Sequence, residues 1–271
     1  MIALGIPHCG WDPKRVESLR RLQGELAKLD GPVAGIIKIF SEPGPTKAHI
    51  WSRKMWEWAV STGADHFLTI QDDALVAPHF WTHLTALLEA VPNNVIGLQA
   101  IHPLGPQLWA VGCNWYTTTD MIPGVSYVLP IGILRRFLAW QDHELRPGAR
   151  ETLNEDTLLG LFCAAEGHRI WHPVPTIVDH DSSLPSNYAN ERTGNRNPTC
   201  LWTKHHYPDT WTPRNPLPQP NGQVPHLGRF YQQTPAQFAR WVKPYDKWEE
   251  TVNRIENDLV KVYEMPPQGS A

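Results

Sequence analysis

The chain has 271 residues, of which 41% are hydrophobic and 19% charged, and its formal net charge is -3. That size and composition fit one large α/β domain with an appendage, and they allow a full core. The small negative charge excludes binding of nucleic acid through bulk electrostatics alone, so any nucleic-acid site has to be local.

Cysteine usage and the start of the chain indicate the compartment. The four cysteines lie far apart, at Cys9, Cys113, Cys163 and Cys200. They include no CxxC pair, which disfavours a zinc knuckle and a disulfide framework and is typical of thiols in a reducing compartment. Met1 leads directly into an apolar run without a basic leader, and no stretch reaches the ~18 apolar residues of a membrane span. We therefore expect a cytoplasmic protein without an anchor.

The first part of the chain alternates between apolar runs and helical periodicity. Strands are predicted at 2–6, 33–40 and 66–70, and helices at 13–29 and 48–61. Alternating strands and helices predict a mainly parallel, doubly wound sheet. Ligands of such sheets bind outside the carboxyl ends of the strands.

The second part continues the pattern and then loses it. Helices are predicted at 80–90, 132–140 and 154–166, and strands at 95–100, 108–116 and 125–129, with an extended segment over 169–180. The predicted domain organisation is a core over 1–183, a proline-rich excursion over 184–233, two closing helices within 234–265 and a disordered tail over 266–271. The last helix has enough apolar positions to dock on its own domain or on a partner.

Two adjacent aspartates, Asp72 and Asp73, follow the predicted strand 66–70. Neighbouring carboxylates repel each other and are costly to bury unless a cation or several donors compensate them. Mg²⁺ and Mn²⁺ prefer oxygen ligands and keep positions open for substrate phosphates, so the pair could bridge through a metal to a diphosphate. An equally good interpretation is that both aspartates cap the following helix.

A second carboxylate pair, Glu155 and Asp156, opens the predicted helix 154–166. A carboxylate there could be a general base that accepts a proton from an attacking hydroxyl, if it lies within hydrogen-bond reach. The alternative is an acidic first turn that complements the helix dipole, and Glu155 could do only that. Asp156 is the preferred base.

A histidine flanked by aspartates, His180, ends the extended segment. Neutral imidazole is a competent ligand for Mn²⁺. A lone histidine is more often structural, so His180 gains weight only in combination with the two carboxylate pairs.

That combination resembles the GT-A glycosyltransferases, including phage and bacterial members with short Glu-Asp-Asp metal motifs. The likeness covers about residues 2–183 and rests on the β-loop-α opening, the run 69–76, Asn154-Glu155-Asp156, the run 166–171 and Val178-Asp179-His180. It implies a Rossmann-like, mainly parallel mixed sheet flanked by helices. It also implies transfer of a sugar from a nucleotide sugar, a UDP-sugar in particular, with Mn²⁺ or Mg²⁺ as cofactor.

The resemblance also assigns roles to the motif residues. Asp73 would bind the metal directly, with His180 as a further ligand. Asp72 would contact the ribose or assist the metal, and Asp156 would be the general base of an inverting transfer. The family's acidic first position is Gln71 here, so the pattern departs at that side chain.

Further residues would line the donor site by the same likeness: Ile6, Pro7, His8, Lys47, Trp51, Arg53 and Gly124. A basic side chain facing the diphosphate suits the charge that develops on the leaving group. Trp51, however, lies four and seven residues before Met55 and Trp58, a spacing that is more typical of helix packing. Gly124 would let the backbone approach the donor sugar, although glycines serve turns as readily.

The excursion is basic and aromatic on its own. Its predicted acceptor-binding residues are Arg192, Arg196, Trp202, Lys204, His205 and Trp211. Guanidinium groups for phosphates and rings for unstacked bases are what a DNA-modifying enzyme needs, since a base inside a duplex must be flipped out. The same rings could bind a carbohydrate, or the segment could close over the donor and exclude water.

The favoured hypothesis is a phage-type transferase, working in the host cytoplasm, that glycosylates 5-hydroxymethylpyrimidines in DNA. The first alternative is a cytoplasmic transferase acting on a polysaccharide or protein hydroxyl. A second alternative, from another class, is a nucleotidyltransferase or other two-metal phosphoryl enzyme with Asp72, Asp73 and Asp156 around its metals. A binding module without catalysis is the least favoured.

Overall fold

The computed structural model describes residues 1–27, 35–42, 44, 48–99, 108, 113–119, 121, 124–181, 183–184, 224, 226–227 and 235–261. Its strands are β1 (Ile2–His8), β2 (Gly35–Ser41), β3 (His66–Ile70), β4 (Ala74–Val76), β5 (Val95–Gly97), β6 (Trp115–Thr118), β7 (Ser126–Pro130), β8 (Ile170–Pro173) and β9 (Val178–His180). Its helices are α1 (Pro13–Ala27), α2 (Ala48–Ser61), α3 (Phe80–Ala90), α4 (Ile131–His143), α5 (Ala149–Thr152), α6 (Glu155–Glu166), α7 (Pro235–Trp241) and α8 (Trp248–Lys261).

Most predicted elements are present with bounds close to those expected. The predicted helices 48–61 and 80–90 and the predicted strand 66–70 match α2, α3 and β3 at both ends. The strand predicted over 108–116 is confirmed only at its last two residues, because β6 begins at Trp115, and residues 109–112 lie outside the described residues. The Cys113 amide, two residues before β6, donates to the Leu108 carbonyl (2.8 Å).

The seven-stranded sheet has the order β2-β1-β3-β7-β5-β8-β6. Strand β1 pairs in parallel with β2 and β3, and β5 with β8, whereas β6 and β7 run antiparallel to their neighbours. Five strands therefore run one way and two the other. The predicted α/β fold, with a mixed, mainly parallel sheet and flanking helices, is confirmed.

The strand register brings several loops to one edge of the sheet. His8 lies opposite Ser41, so β1 and β2 end together, and Gly5 lies opposite Thr69 near the end of β3. Strand β7 runs the other way and starts at this edge, because Ser126 lies opposite Ile70. The loops after β1, β2 and β3 therefore meet the loop before β7.

Helices cover both faces of the sheet. One core cluster includes Trp56, Phe67 and Phe137 and extends into α2, α4 and α6. The other includes Leu4 and Leu84 and extends into α1 and α3. Strand β1 is buried at all but one position, as expected for a strand that is covered on both faces.

The closing helices pack on the end of α6. Phe238, Val242 and Ile255 are buried in the cluster that contains Trp56. The Arg254 guanidinium donates to the Ala164 carbonyl (2.9 Å) in the last turn of α6. Within the described part of the chain, no helix combines the length and the apolarity needed to cross a membrane.

Candidate active site

The turn that holds Asp72 and Asp73 joins two strands. The Ala74 amide donates to the Gln71 carbonyl (3.0 Å), and β4 starts at once. Helix α3 begins only at Phe80, with His79 at its N-cap. The interpretation of the two aspartates as a helix cap is therefore wrong, and burial of both carboxylates needs another explanation.

Asp72 is fully buried, and its partners belong to the first loop and to α1. Its Oδ1 forms an ion pair with Nη2 of Arg15 (2.7 Å). Its Oδ2 accepts from the Cys9 amide (2.8 Å) and lies 2.8 Å from Nδ1 of His8. The family resemblance predicts that Asp72 contacts the ribose or the metal. The structure instead places this carboxylate as a link between the loop after β1 and the turn after β3.

The two carboxylate oxygens of Asp73 face different side chains, Arg15 on one side and His180 on the other. Its Oδ2 pairs with Nη1 of Arg15, and its Oδ1 lies 3.5 Å from Nε2 of His180. The antiparallel pairing of β4 with β9 brings the histidine there, because Ala74 lies opposite His180. The Asp181 amide also donates to the Asp73 carbonyl (2.9 Å). The predicted pair of Asp73 and His180 is thus brought together by a small sheet of its own.

Arg15 is the residue at this site that the sequence did not reveal. The side chain of Asp12 caps the start of α1, because its Oδ1 accepts from the Lys14 amide (2.9 Å). Arg15 lies in the first turn of the helix and is 5% exposed. Burial alone would lower the pKa of Arg15, but the carboxylates of Asp73 and Asp72 outweigh it and raise the pKa. A cation in the first turn opposes the helix dipole, and that mismatch is the signal that would have pointed to this residue.

Gln71 connects the two carboxylate pairs. Its Nε2 donates to the Gly124 carbonyl (3.3 Å) and to Oε1 of Glu155 (3.4 Å), and its Oε1 lies 3.5 Å from Nε2 of His180. Its backbone amide donates to the Val125 carbonyl (2.9 Å). The side chain at which the GT-A pattern departs is therefore in contact with both halves of the site.

The side chains near Asp73 are too few to form a closed metal site. Within the described ranges, no three or more His, Cys, Asp or Glu side chains lie close enough together to hold a metal ion. Asp73 and His180 offer two ligand atoms, and the Gln71 amide oxygen lies beside the same imidazole nitrogen. Hard divalent cations are commonly held by one or two protein groups, with substrate phosphates and water completing the shell. A closed structural metal site would need about four protein ligands.

The second carboxylate pair lies at the start of α6, beside the same turn. Asp156 is half-buried and accepts from the Thr157 amide (2.7 Å). Burial raises the pKa of Asp156 against that hydrogen bond. A Cβ added at Gly124 would lie 2.9 Å from Cβ of Asp156, so the glycine is required for the close approach of this loop to α6.

Glu155 lies deeper than Asp156. It is 6% exposed, accepts from the Ser52 hydroxyl of α2, and faces Nε2 of Gln71. Burial raises the pKa of Glu155 to about 7, opposed by the Ser52 hydrogen bond and reinforced by the charge of Asp156. Of the two residues, Asp156 is the more exposed to solvent.

Several predicted donor-site residues lie elsewhere. The Ile6 side chain is 1% exposed and packs in the core with Leu4, so only its backbone could face a ligand. Arg53 pairs with Glu57 on α2 and Asp142 on α4, which commits its guanidinium to a contact between helices. These two predictions are corrected by the packing.

Of the other predicted donor residues, Pro7 and Trp51 keep some exposure, whereas His8 is 6% exposed. Pro7 is half-buried, and His8 lies in contact with Asp72. Trp51 is half-buried, with the Lys54 ammonium 4.3 Å from its ring centroid, and it is not among the core residues that include Met55. Lys47 lies outside the described residues, as do the predicted acceptor residues Arg192, Arg196, Trp202, Lys204, His205 and Trp211.

Comparison with known proteins adds a partial likeness of fold. No protein-family model and no curated protein sequence matches the chain. Solved structures that resemble it include residues 1–349 of TarS from S. aureus, with a TM-score of 0.46 and 11% identity over 67% of this chain and 60% of that one. The chain thus spans less than two thirds of the TarS fragment.

Two further structures resemble the chain more loosely. One is a mannose-1-phosphate geranyltransferase from Thermus thermophilus, with a TM-score of 0.36, 14% identity, and coverage of 66% of this chain and 75% of that one. The other is a glycosyltransferase involved in the glycosylation of the major capsid of PBCV-1, with a TM-score of 0.37, 8% identity, and coverage of 68% and 94%. At such low scores and identities, the likeness carries no argument about activity.

Proposed function

We propose that this chain is a glycosyltransferase that moves a sugar from a nucleotide sugar to a hydroxyl group. The observation that carries the proposal is the meeting of two different acidic groups at one edge of the sheet. Asp73 with His180 lies on one side of Gln71, and Asp156 lies on the other, beside Gly124. Transfer of a sugar from a nucleotide sugar needs one group that holds the leaving diphosphate and, next to it, another that accepts the proton of the hydroxyl.

The first function is to hold the leaving diphosphate. Asp73 and His180 would hold a Mn²⁺ or Mg²⁺ ion, with the amide oxygen of Gln71 beside them. When bound, such an ion neutralises the negative charge that develops on a departing diphosphate. The buried Asp72 serves this group by linking it to the loop after β1.

The second function is to accept a proton. In an inverting transfer the bond between the anomeric carbon and the diphosphate breaks as the acceptor oxygen bonds to that carbon. The hydroxyl proton would pass to the carboxylate of Asp156, a half-buried residue whose pKa is raised by burial. Glu155 supports α6 through Ser52 and Gln71, so we assign it to positioning.

The test is a thermal-shift screen of nucleotide sugars, UDP-sugars first, with and without Mn²⁺. We expect one donor to stabilise the protein, and to do so strongly only with the ion present. Nucleotide sugars with a different base serve as matched controls. Absence of stabilisation by every donor, with and without Mn²⁺, would count against the whole proposal.

The alternative of a two-metal phosphoryl enzyme receives less support. It needs Asp72, Asp73 and Asp156 as ligands of two ions. Asp72 is fully buried and engaged by Arg15, His8 and the Cys9 amide. Product analysis separates the two functions, since a glycosyltransferase releases a nucleoside diphosphate and a nucleotidyltransferase releases pyrophosphate.

For the acceptor we propose 5-hydroxymethylpyrimidine in DNA. The support is the basic and aromatic composition of the excursion, whose candidate residues lie outside the described part of the chain. Transfer of labelled sugar to hydroxymethylated DNA is the expected result, with unmodified DNA as the control. Transfer to a polysaccharide or a protein, but not to this DNA, would favour the cytoplasmic alternative.

A further inference from the structure

We propose that Arg15 is a built-in counter-ion of the aspartate pair, which keeps a divalent cation weakly bound in the free protein so that the cation binds together with the donor diphosphate. This inference rests on the proposed function, because it takes the Asp73 side of the turn as the cation site. It concerns a residue of α1 that is not one of the groups expected to touch the donor.

The geometry shows how Arg15 acts on both carboxylates at once. One terminal nitrogen, Nη2, lies 2.7 Å from Oδ1 of Asp72, and the other, Nη1, pairs with Oδ2 of Asp73. A guanidinium is planar and can hold two carboxylate oxygens with its two terminal nitrogens. Arg15 therefore occupies the position between the two aspartates that a shared metal ion would need.

The ion pairs of Arg15 with the two aspartates are buried in the folded protein. The side chains of Arg15, Asp72 and Asp73 are 6%, 0% and 1% exposed. An uncompensated pair of buried carboxylates is strongly unfavourable, so the folded protein keeps Arg15 beside them. The aspartate pair is thus partly neutralised before any metal arrives.

The remaining capacity for a cation is small. The Asp73 oxygen that faces His180 is one ligand atom, and the imidazole nitrogen is another. A divalent ion there would also be repelled by the nearby guanidinium. Two protein ligands and a repelling neighbour give weak binding on their own. Phosphate oxygens of the donor would coordinate the ion and add negative charge. The ion and the donor would therefore each strengthen binding of the other.

The experiment measures Mn²⁺ alone on the metal-free, full-length chain by calorimetry or by electron paramagnetic resonance. Arg15→Met removes the charge, and Arg15→Lys keeps it without the planar fork. Arg20→Met is the matched control, because Arg20 is an exposed arginine on the same helix, 71% exposed and paired with Glu17. All four proteins are also melted in Mn²⁺ and in Na⁺ at equal ionic strength.

We expect Arg15→Met to bind Mn²⁺ about tenfold more tightly than the wild type, or better, because a repelling charge is gone. It should also lose stability without Mn²⁺ and recover more of it with the ion than the other proteins do. Arg15→Lys and Arg20→Met should bind Mn²⁺ as weakly as the wild type.

Equal Mn²⁺ affinity of Arg15→Met and the wild type would overturn the inference, as would tight binding by Arg15→Lys. If Arg15→Met does not fold without metal, recovery of the fold in Mn²⁺ but not in Na⁺ supports the inference, and failure to recover in Mn²⁺ contradicts it. A second arm adds UDP, which should strengthen Mn²⁺ binding to the wild type more than to Arg15→Met. Failure of UDP to bind any of the proteins would count against the proposed UDP donor, while the comparison with Mn²⁺ alone still decides the role of Arg15.

Discussion

The carboxylate of Glu155 shows how one buried side chain can link stability to pH. It lies between the Ser52 hydroxyl and the Gln71 amide, at 6% exposure, and burial raises its pKa to about 7 from an ordinary value of 4.5. The folded protein therefore holds this proton more tightly than the unfolded chain does. Its contribution to stability is fully present below pH 4.5 and is lost as the pH rises through about 7.

Glu155→Gln should therefore stabilise the protein at alkaline pH. The amide cannot ionise, so the variant escapes the cost of burying a charge. At pH 8 its free energy of unfolding should exceed that of the wild type by up to roughly 3 kcal/mol, and the difference should fall towards zero near pH 4. Urea unfolding at both pH values measures this. Glu17→Gln, at an exposed position of α1, should change stability by less than about 0.5 kcal/mol at either pH. A pH-independent effect of Glu155→Gln would contradict the argument.

Substitutions at Asp73 and Asp156 should affect different steps, donor binding for Asp73 and turnover for Asp156. Asp73→Asn should weaken Mn²⁺-dependent binding of the nucleotide sugar, because one of two protein ligands loses its charge. Asp156→Asn should leave donor affinity close to that of the wild type and lower kcat by about 10²–10⁴-fold, the usual contribution of a general base. Calorimetry with the donor and steady-state kinetics check the two halves. Loss of donor affinity in Asp156→Asn, with kcat unchanged, would reverse the assignment of roles.

The sequence indicates which acidic and histidine side chains come together better than it indicates their other partners. Motif order points to Asp73, His180 and Asp156, and the structure brings them to one edge of the sheet. The partners of Arg15 are not predictable in this way, because its contact with Asp72 joins two distant parts of the chain. Its place in the first turn of α1 marks the residue as unusual but does not indicate which carboxylates it contacts. The burial of the Asp72 side chain is not predictable from the sequence either, because it also depends on contacts with a distant part of the chain.

At the scale of elements, the candidate site depends on how closely the loop before β7 approaches α6. Gly124 lies in that loop, its carbonyl accepts from Gln71, and an added Cβ would meet Cβ of Asp156 at 2.9 Å. Neither atom is the far end of a flexible side chain, so the loop or the helix would have to move. The spacing between Asp156 and Gln71 is therefore set by the absence of a side chain at Gly124.

Gly124→Ala should lower kcat by tenfold or more, because displacements of about 1 Å at a catalytic group can cost about 10²-fold in rate. The matched control is Gly132→Ala on α4, where an added Cβ meets nothing within 4 Å. That exposed helical position should gain about 0.5–1 kcal/mol of stability with kcat unchanged. Steady-state kinetics and urea unfolding of both variants test the pair. Unchanged kcat in Gly124→Ala would show that the loop can move without effect on the reaction.

The small sheet of β4 and β9 is the element that the sequence could not reveal. Each strand has only three residues, which is too short for a period-two pattern to stand out. The acidic turn before β4 is also typical of a helix start, which is why a helix cap stood as an alternative interpretation. Only the pairing of Ala74 with His180, between distant parts of the chain, distinguishes the two structures.

At the scale of the whole molecule, α6 connects the candidate site to the closing helices. Its first turn carries Glu155 and Asp156, and its last turn accepts a hydrogen bond from Arg254 of α8. The first turn is held by Ser52 and Gln71, which belong to other elements than α8. The two ends of α6 are therefore supported independently.

Because the two ends of α6 are held by different contacts, loss of packing at α8 should lower the stability of the protein without changing the geometry of the candidate site. Ile255 is 3% exposed in the core cluster shared with α6, and Ile255→Ala should cost roughly 2–5 kcal/mol of the free energy of unfolding. Donor affinity and kcat, measured at a temperature where the variant remains folded, should match those of the wild type. Asn253→Ala, at an exposed position of the same helix, should leave both stability and kinetics unchanged. A fall in donor affinity in folded Ile255→Ala would instead mean that α6 transmits the loss of packing along its 12 residues to Asp156.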